Sequence, residues 1–185
     1  MDPRWLDLVG TRANWPARSP IERLRDPEAL AEWLDDHGLA PEAASTSADL
    51  AMVRQVRSSL HELAVARIQA RTPHPQALDT VNAALARAAR SPRHVIVPDP
   101  IEPGYLRRRL TNVDAALGLI IEQAIDTLAG ADAAYLRECE EVSCGALFLD
   151  HTGRRRWCSN PACGIRARVR AHRARQRYEV GAEGE

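Results

Sequence analysis

Hydrophobic residues recur at three- and four-residue steps through most of the first 130 positions, which is the spacing of amphipathic α-helices. The longest series begins after Ser45–Asp49 and extends to about Arg71. Its apolar positions are Leu50, Val53, Val56, Leu60, Leu63, Ala64 and Ile68. A second, more apolar series begins at Asn112 or Asp114 and ends at Gly130. Both segments predict long helices that pack in a core.

Shorter helices are predicted on either side of the first long one. Residues 4–12 form a short apolar segment, and residues 77–90 carry another helical pattern after two prolines. Asp26, Pro27 and Glu28 predict the start of a helix that ends at Gly38. An Asp at the N-cap, Pro at the first helical position and an early acid are typical helix-start signals.

One segment of the first 134 residues has the pattern of a β-strand. His94–Val97 is apolar, lies between Pro92 and Pro98, and is followed by Tyr105–Leu110 as a pairing partner. We therefore predict a mainly α, α+β protein whose helical N-terminal domain, residues 1–134, contains a small β-hairpin.

All four cysteines lie between residues 139 and 163, as two equally spaced pairs. Cys139 and Cys144 are separated by four residues, as are Cys158 and Cys163. Two short chelate loops joined by a hairpin-length linker predict a structural, tetrahedral zinc site. A redox-active or disulfide-bonded set and an iron–sulfur cluster are the alternatives. One Zn²⁺ is the expected cofactor.

The elements around these cysteines have a recognisable order. Residues 146–150 are predicted as a strand and residues 151–153 as a turn. Residues 154–158 are predicted to return as a second strand, and Cys163 lies where the last helix starts. Loop, hairpin, loop and helix is the order of a treble-clef-like finger, here assigned to residues 135–178. Phe148 and Trp157 are candidates for its small core, which metal binding would have to stabilise.

The net charge of zero conceals a strong separation of charge along the chain. Residues 1–150 hold 16 arginines and 22 acids, a net of −6, whereas residues 151–178 hold nine arginines and no acid. Residues 179–185 form a short acidic tail, and there is no lysine. Such separation indicates a polyanionic partner or an acidic protein surface.

The arginines are the candidate nucleic-acid contacts. They are Arg154, Arg155 and Arg156 before the second cysteine pair, and Arg166, Arg168, Arg170, Arg173 and Arg177 in the last helix. On a helix, Arg166, Arg170, Arg173 and Arg177 share one stripe, with Arg168 and Arg175 opposite. Ile165 and Val169 are predicted to seat this helix against the hairpin.

Several classes of function have no support in the sequence. It contains no glycine-rich phosphate loop, no His-x-x-x-His pair and no spacing typical of a catalytic triad, so we do not expect an enzyme. His61, His74 and His94 are expected to be surface or cap residues. No apolar stretch approaches the ~18 residues of a membrane span, and the N-terminus is unlike a secretory signal. We therefore expect a cytoplasmic protein with reduced cysteines.

The cysteines and their neighbours resemble a known family. Cys144-Gly, Phe148-Leu-Asp, Trp157-Cys-Ser and Cys163-Gly-Ile-Arg are similar to the CGNR-type zinc finger. That finger ends proteins with an N-terminal ABATE domain, a bacterial family of stress-induced transcription regulators, and residues 6–9 and 26–38 and the helix before Cys139 are similar to that domain. The family has Asn where this chain has Ile165. If that Asn bonds the backbone near the metal, this finger lacks the bond, and if it contacts nucleic acid, recognition is weaker here.

The resemblance and the charge separation together favour a zinc-dependent transcriptional regulator that binds double-stranded DNA. The helical domain would then dimerise or sense an effector of unknown identity. An RNA-binding role is a variant of this hypothesis. The first alternative is a protein–protein adaptor whose basic finger docks on an acidic surface, including the acidic body of its own or a sister chain. A redox sensor or enzyme using Cys139 or Cys163 as a reactive thiolate is the second.

Overall fold

The computed structural model describes residues 3–90, 92–98 and 106–182, and it confirms a mainly helical protein with small two-stranded sheets. The helices are α1 (Arg4–Gly10), α2 (Pro27–Asp36), α3 (Ser47–Ile68), α4 (Pro75–Ala88), α5 (Val113–Ala129) and α6 (Pro161–Ala182), with a 3₁₀ turn at Ala131–Tyr135. The strands are β1 (Arg12–Ala13), β2 (Ile21–Glu22), β3 (His94–Pro98), β4 (Leu106–Leu110), β5 (Leu136–Glu138) and β6 (Leu147–Leu149). Within these ranges no helix is both long and apolar enough to cross a membrane.

The helix starts predicted from the sequence are confirmed by their capping contacts. Asp26 accepts a hydrogen bond from the Ala29 amide at 2.8 Å. Thr46 and Asp49 form a reciprocal capping box at the start of α3. Asn112 caps α5 in the same way as Asp26 caps α2. The fourth helix begins at Pro75 rather than at residue 77, because proline is favoured in the first turn, where no amide partner is needed.

The core of the protein lies where α1, α3 and α5 meet. Trp5 on α1 has no exposed surface, and its indole Nε1 donates to Thr127 Oγ1 of α5 at 3.0 Å. Val56 and Leu60 of α3 are buried beside it in the same cluster. An indole hydrogen bond inside an apolar core fixes the relative register of two helices, because an unpartnered N–H there is costly.

The predicted strand pairing in the N-terminal domain is also confirmed. β3 and β4 are antiparallel, with His94 opposite Leu110 and Pro98 opposite Leu106. Tyr105, the predicted first residue of the second strand, lies outside the described residues. β4 leads into the N-cap of α5 and thereby joins the hairpin to the core.

The prediction that residues 154–158 form the second strand of the finger's hairpin was wrong. β6 pairs with β5, so that Leu136 lies opposite Leu149, and residues 154–158 form an irregular segment. The carboxylate of Asp150 explains the difference. It accepts hydrogen bonds from the amides of Thr152 and Arg155 at 3.0 and 2.8 Å, and these bonds hold the chain in a tight turn rather than an extended return.

The β5–β6 hairpin belongs to two cores at once. Leu136 and Leu147 are buried in the main helical cluster. Phe148 points to the other face of the hairpin and is buried among the cysteines. Alternation of side chains along a strand produces this division, and it ties the finger rigidly to the helical body.

Candidate metal centre and basic helix

The four cysteines converge on one point beside the hairpin. Their sulfur atoms all lie within 4.8 Å of one another. Cys144 Sγ is 3.8 Å from Cys158 Sγ, and Cys158 Sγ is 3.6 Å from Cys163 Sγ. Tetrahedral zinc with Zn–S bonds of about 2.3 Å requires sulfur atoms about 3.8 Å apart. The donor set therefore fits one structural zinc ion.

Two hydrogen bonds reach the sulfur atoms from outside the cluster. The Cys158 amide donates to Cys139 Sγ at 3.4 Å, and Arg166 Nη2 donates to Cys163 Sγ at the same distance. Four thiolates around Zn²⁺ carry a net charge of −2, and such donors offset it. Arg166, predicted as a nucleic-acid contact, is thus also a partner of the metal ligands.

The acidity of the thiols shows why this cluster needs a cation. Burial raises the pKa of Cys144, and it raises the pKa of Cys163 to about 11. Burial also opposes ionisation of Cys158, but hydrogen bonds from the Asn160 backbone and the neighbouring cysteines lower its pKa. Adjacent thiolates repel each other in so small a space, and a bound metal ion removes that repulsion.

The finger has the small core that the sequence suggested. Phe148 is 3% exposed and packs with the cysteines, and Trp157 packs against the same cluster. The Arg155 guanidinium lies over the Phe148 ring, 4.5 Å from its centroid. With only two aromatic rings to bury, the unit depends on its metal for stability.

The last helix is held by arginines rather than by apolar residues. Arg170 Nη2 donates to Glu141 Oε1 at 2.5 Å, and Arg166 Nε lies 3.9 Å from the same oxygen. Glu141 has no exposed surface, whereas Ile165 and Val169 are 54% and 44% exposed. The prediction that Ile165 and Val169 seat the helix was therefore wrong. The buried carboxylate of Glu141, in the first chelate loop (residues 139–145), turns the Arg166–Arg170 face inward.

The other predicted arginines differ in how far they are already paired. Arg156 forms an ion pair with Glu140 at 2.6 Å. Among the described residues, Arg154, Arg168 and Arg173 are exposed and have no ion-pair partner, and the same holds for Arg175. The side chain of Arg177 lies outside the described part of the chain.

Contacts between the body and the first chelate loop were missed by sequence reasoning. The Trp15 amide donates to the Cys144 carbonyl at 3.0 Å, and His61 Nε2 lies 2.9 Å from the Gly145 carbonyl oxygen. The Trp15 and His61 rings are stacked with centroids 4.0 Å apart. Burial lowers the pKa of His61, so a neutral ring that donates through Nε2 fits this bond. Predicting His61 as a surface or cap residue was wrong, and no local pattern marks so distant a contact.

Gly145 is required at this junction for two reasons, and each can be measured. Its φ is +65°, and a Cβ would lie 2.8 Å from Trp15 Cβ. We expect Gly145→Ala to destabilise the protein by at least about 2 kcal/mol, since left-handed backbone alone costs ~1–2 kcal/mol. Zinc affinity should fall as well. Chemical denaturation and competition with a chromophoric chelator measure the two effects.

Gly153→Ala is the matched control for this substitution. Gly153 has nearly the same φ, +66°, but nothing lies within 4 Å of its would-be Cβ. It should therefore show the backbone cost alone and leave zinc affinity unchanged. Equal losses in the two variants would mean that the Trp15 contact contributes nothing.

Comparison with family models agrees with the two parts of this architecture. Residues 2–131 match ABATE, described as "Putative stress-induced transcription regulator", and residues 135–176 match the CGNR zinc finger. A comparison with curated proteins gives no match. The first match covers more than half of the chain, and the second contains all four cysteines of the metal centre. The chain therefore belongs to the ABATE family and carries a C-terminal CGNR zinc finger.

Proposed function

We propose that this protein is a zinc-dependent transcriptional regulator that acts in the cytoplasm and binds double-stranded DNA through α6. One observation carries the proposal. Every residue from 168 to 176 is exposed, and this segment contains Arg168, Arg170, Arg173 and Arg175 and no acid. Apart from Arg170, whose guanidinium is held by Glu141, this exposed segment gains little stability from the rest of its own chain.

The physical cost of such a helix supports an anionic partner. Most of the stability of a helix in a protein comes from packing of an apolar face, which the exposed residues 168–176 do not bury. Like charges four residues apart, as at Arg166 and Arg170, destabilise a helix further. The helix has 22 residues, so it is about 33 Å long. The major groove of B-DNA admits an α-helix, and phosphates line both of its edges. Ile165 is exposed near the metal-bound end, where it would also meet the partner.

The zinc centre and Glu141 have a positioning role in this proposal. Cys163 lies in the first turn of α6, and Glu141 holds Arg170 about two turns further on. Two attachments on one side of a helix fix both its direction and its rotation. The outward arginines, Arg168 and Arg175, then point away from the finger.

The adaptor function remains the second candidate, because one observation favours it. Arg156 and Arg170 already donate to the carboxylates of Glu140 and Glu141. An acidic protein surface would offer the same groups. Docking on the acidic body of the same chain is not favoured, since residues 168–176 remain exposed.

Fluorescence anisotropy with labelled duplex fragments from the organism's own promoters tests the proposal. We expect saturable binding that weakens steeply with salt, as phosphate contacts require, and that is abolished by a chelator. Competition with RNA of the same length distinguishes a preference for duplex DNA. Absence of DNA binding by zinc-loaded protein, together with a stable complex on an acidic partner, would select the adaptor instead.

A further inference from the structure

An open cavity of about 610 Å³ lies on the side of the helical body. Strands β1 and β2 form one wall, and helices α3 and α4 form the others. The polar residues that line it include Arg12, Glu22, Arg54, Arg57, Ser59, Glu62 and Thr80. Its volume is in the range of small-molecule sites, but its walls are polar and charged, so an apolar ligand would be a poor fit.

Both carboxylates in the cavity are already occupied by arginines. Glu62 accepts two hydrogen bonds of 2.7 Å from Arg71, which lower its pKa to about 2. Burial of Glu22 raises its pKa, but the hydrogen bonds and charge of Arg57 outweigh that effect and lower it overall. Arg54 lies 3.8 Å from the same carboxylate. The cavity therefore holds ionised acids that need no further cation.

Arg12 is the positive charge that is left over. Among the described residues it has no carboxylate partner, and its guanidinium lies over the Trp15 ring at 4.6 Å. Its Nε is buried and has no hydrogen-bond partner. The Nε of Arg57, a residue that is only 1% exposed, is also buried without a hydrogen-bond partner. Unpaired buried donors of this kind are unusual and indicate a missing acceptor.

We propose that this cavity binds a small polar organic anion, a carboxylate or phosphate ester, through Arg12, and that its binding alters the first chelate loop. With Arg71 included, four arginines surround two acids, which suits a ligand carrying one or two negative charges. Bidentate arginine is well matched to carboxylate and phosphate oxygens. Ser59 and Thr80 provide hydroxyl groups for the polar body of the ligand.

A short series of contacts joins the cavity to the metal loop. The Arg12 guanidinium lies over the Trp15 ring, and the Trp15 ring is stacked on the His61 ring. Both residues bond the chelate loop, Trp15 through its amide to the Cys144 carbonyl and His61 through Nε2 to the Gly145 carbonyl. An anion that moves Arg12 away from the Trp15 ring would therefore change the environment of Gly145 through three successive contacts, namely Arg12 to Trp15, Trp15 to His61 and His61 to Gly145.

Titration of the full-length, zinc-loaded protein tests this site without any DNA. Inorganic phosphate, succinate, citrate and glucose 6-phosphate are added separately at constant ionic strength while ¹H–¹⁵N spectra are recorded. We expect at least one probe to shift the Trp15 indole N–H saturably and the Gly145 amide with the same Kd. Comparing phosphate-bearing with carboxylate-bearing probes identifies the ligand class.

The variants separate a binding role of Arg12 from a structural one. Arg12→Gln should weaken binding at least tenfold, and Arg12→Lys should retain most of it. Arg18→Gln, between β1 and β2 but outside the cavity, should change nothing. Binding that is unchanged in Arg12→Gln, or no saturable shift with any probe, would overturn the site. Saturable binding that leaves Gly145 unmoved would overturn the link to the metal loop.

Discussion

Cys163→Ser should lose zinc and unfold the finger while leaving the helical body intact. Cys163 has no exposed surface and belongs to the cluster that holds Phe148. Binding of structural zinc supplies about 10–16 kcal/mol to small fingers, far more than the few apolar contacts here. Leu136 and Leu147 remain in the main core, so the hairpin stays attached after the metal leaves.

Hydrogen exchange and elemental analysis distinguish this outcome from global unfolding. Amides of α3 and α5 should keep their protection, whereas those from 150 to 176 should lose it. Ser159→Ala, at an exposed position beside Cys158, is the matched control and should keep one zinc per chain. A Cys163→Ser protein that is metal-free yet fully protected in the finger would contradict a structural role for zinc.

Neutralising three exposed arginines of α6 that have no ion-pair partner should have the largest effect on DNA binding. Arg168, Arg173 and Arg175 are exposed and have no ion-pair partner in the described chain. If each contacts one phosphate, the triple change to Gln makes the negative slope of log K against log salt shallower by about 2.7, at ~0.9 per contact. The ratio of wild-type to variant affinity should then differ by about 40-fold between ~50 and ~200 mM salt.

A triple variant of equal charge elsewhere controls for the net charge of the protein. Arg18, Arg23 and Arg25 are exposed on the body, and changing them to Gln should leave the slope within error of the wild type. Zinc content and far-UV circular dichroism must match in all three proteins. Equal slopes for the two triple variants would rule out α6 as the contact surface.

Arg166 and Arg170 should behave differently from the three arginines of α6 that have no ion-pair partner. They are bound to Glu141, and Arg166 also donates to Cys163 Sγ. Replacing them removes contacts within the finger as well as charge, so zinc release should become faster in those variants. The stripe of arginines at four- and three-residue steps therefore contains members with two different roles.

Much of the architecture follows from local patterns along the chain. Asp26, Thr46 and Asn112 set helix starts through contacts three residues away, and periodic apolar positions identify the faces that are buried. Two pairs of cysteines in equal spacing similarly identify the metal centre. Each of these signals depends on groups that are close in sequence, so they can be recognised without the fold.

The contacts that only the tertiary structure decided join residues far apart in sequence. Trp15 and His61 reach the loop after Cys144, and Glu141 determines which face of α6 turns inward. The four cysteines and the basic helix were evident from sequence because chelation and charge depend on residue type and short spacing. Which arginines stay free for a partner depends on where buried carboxylates fall in space, and no linear spacing encodes that.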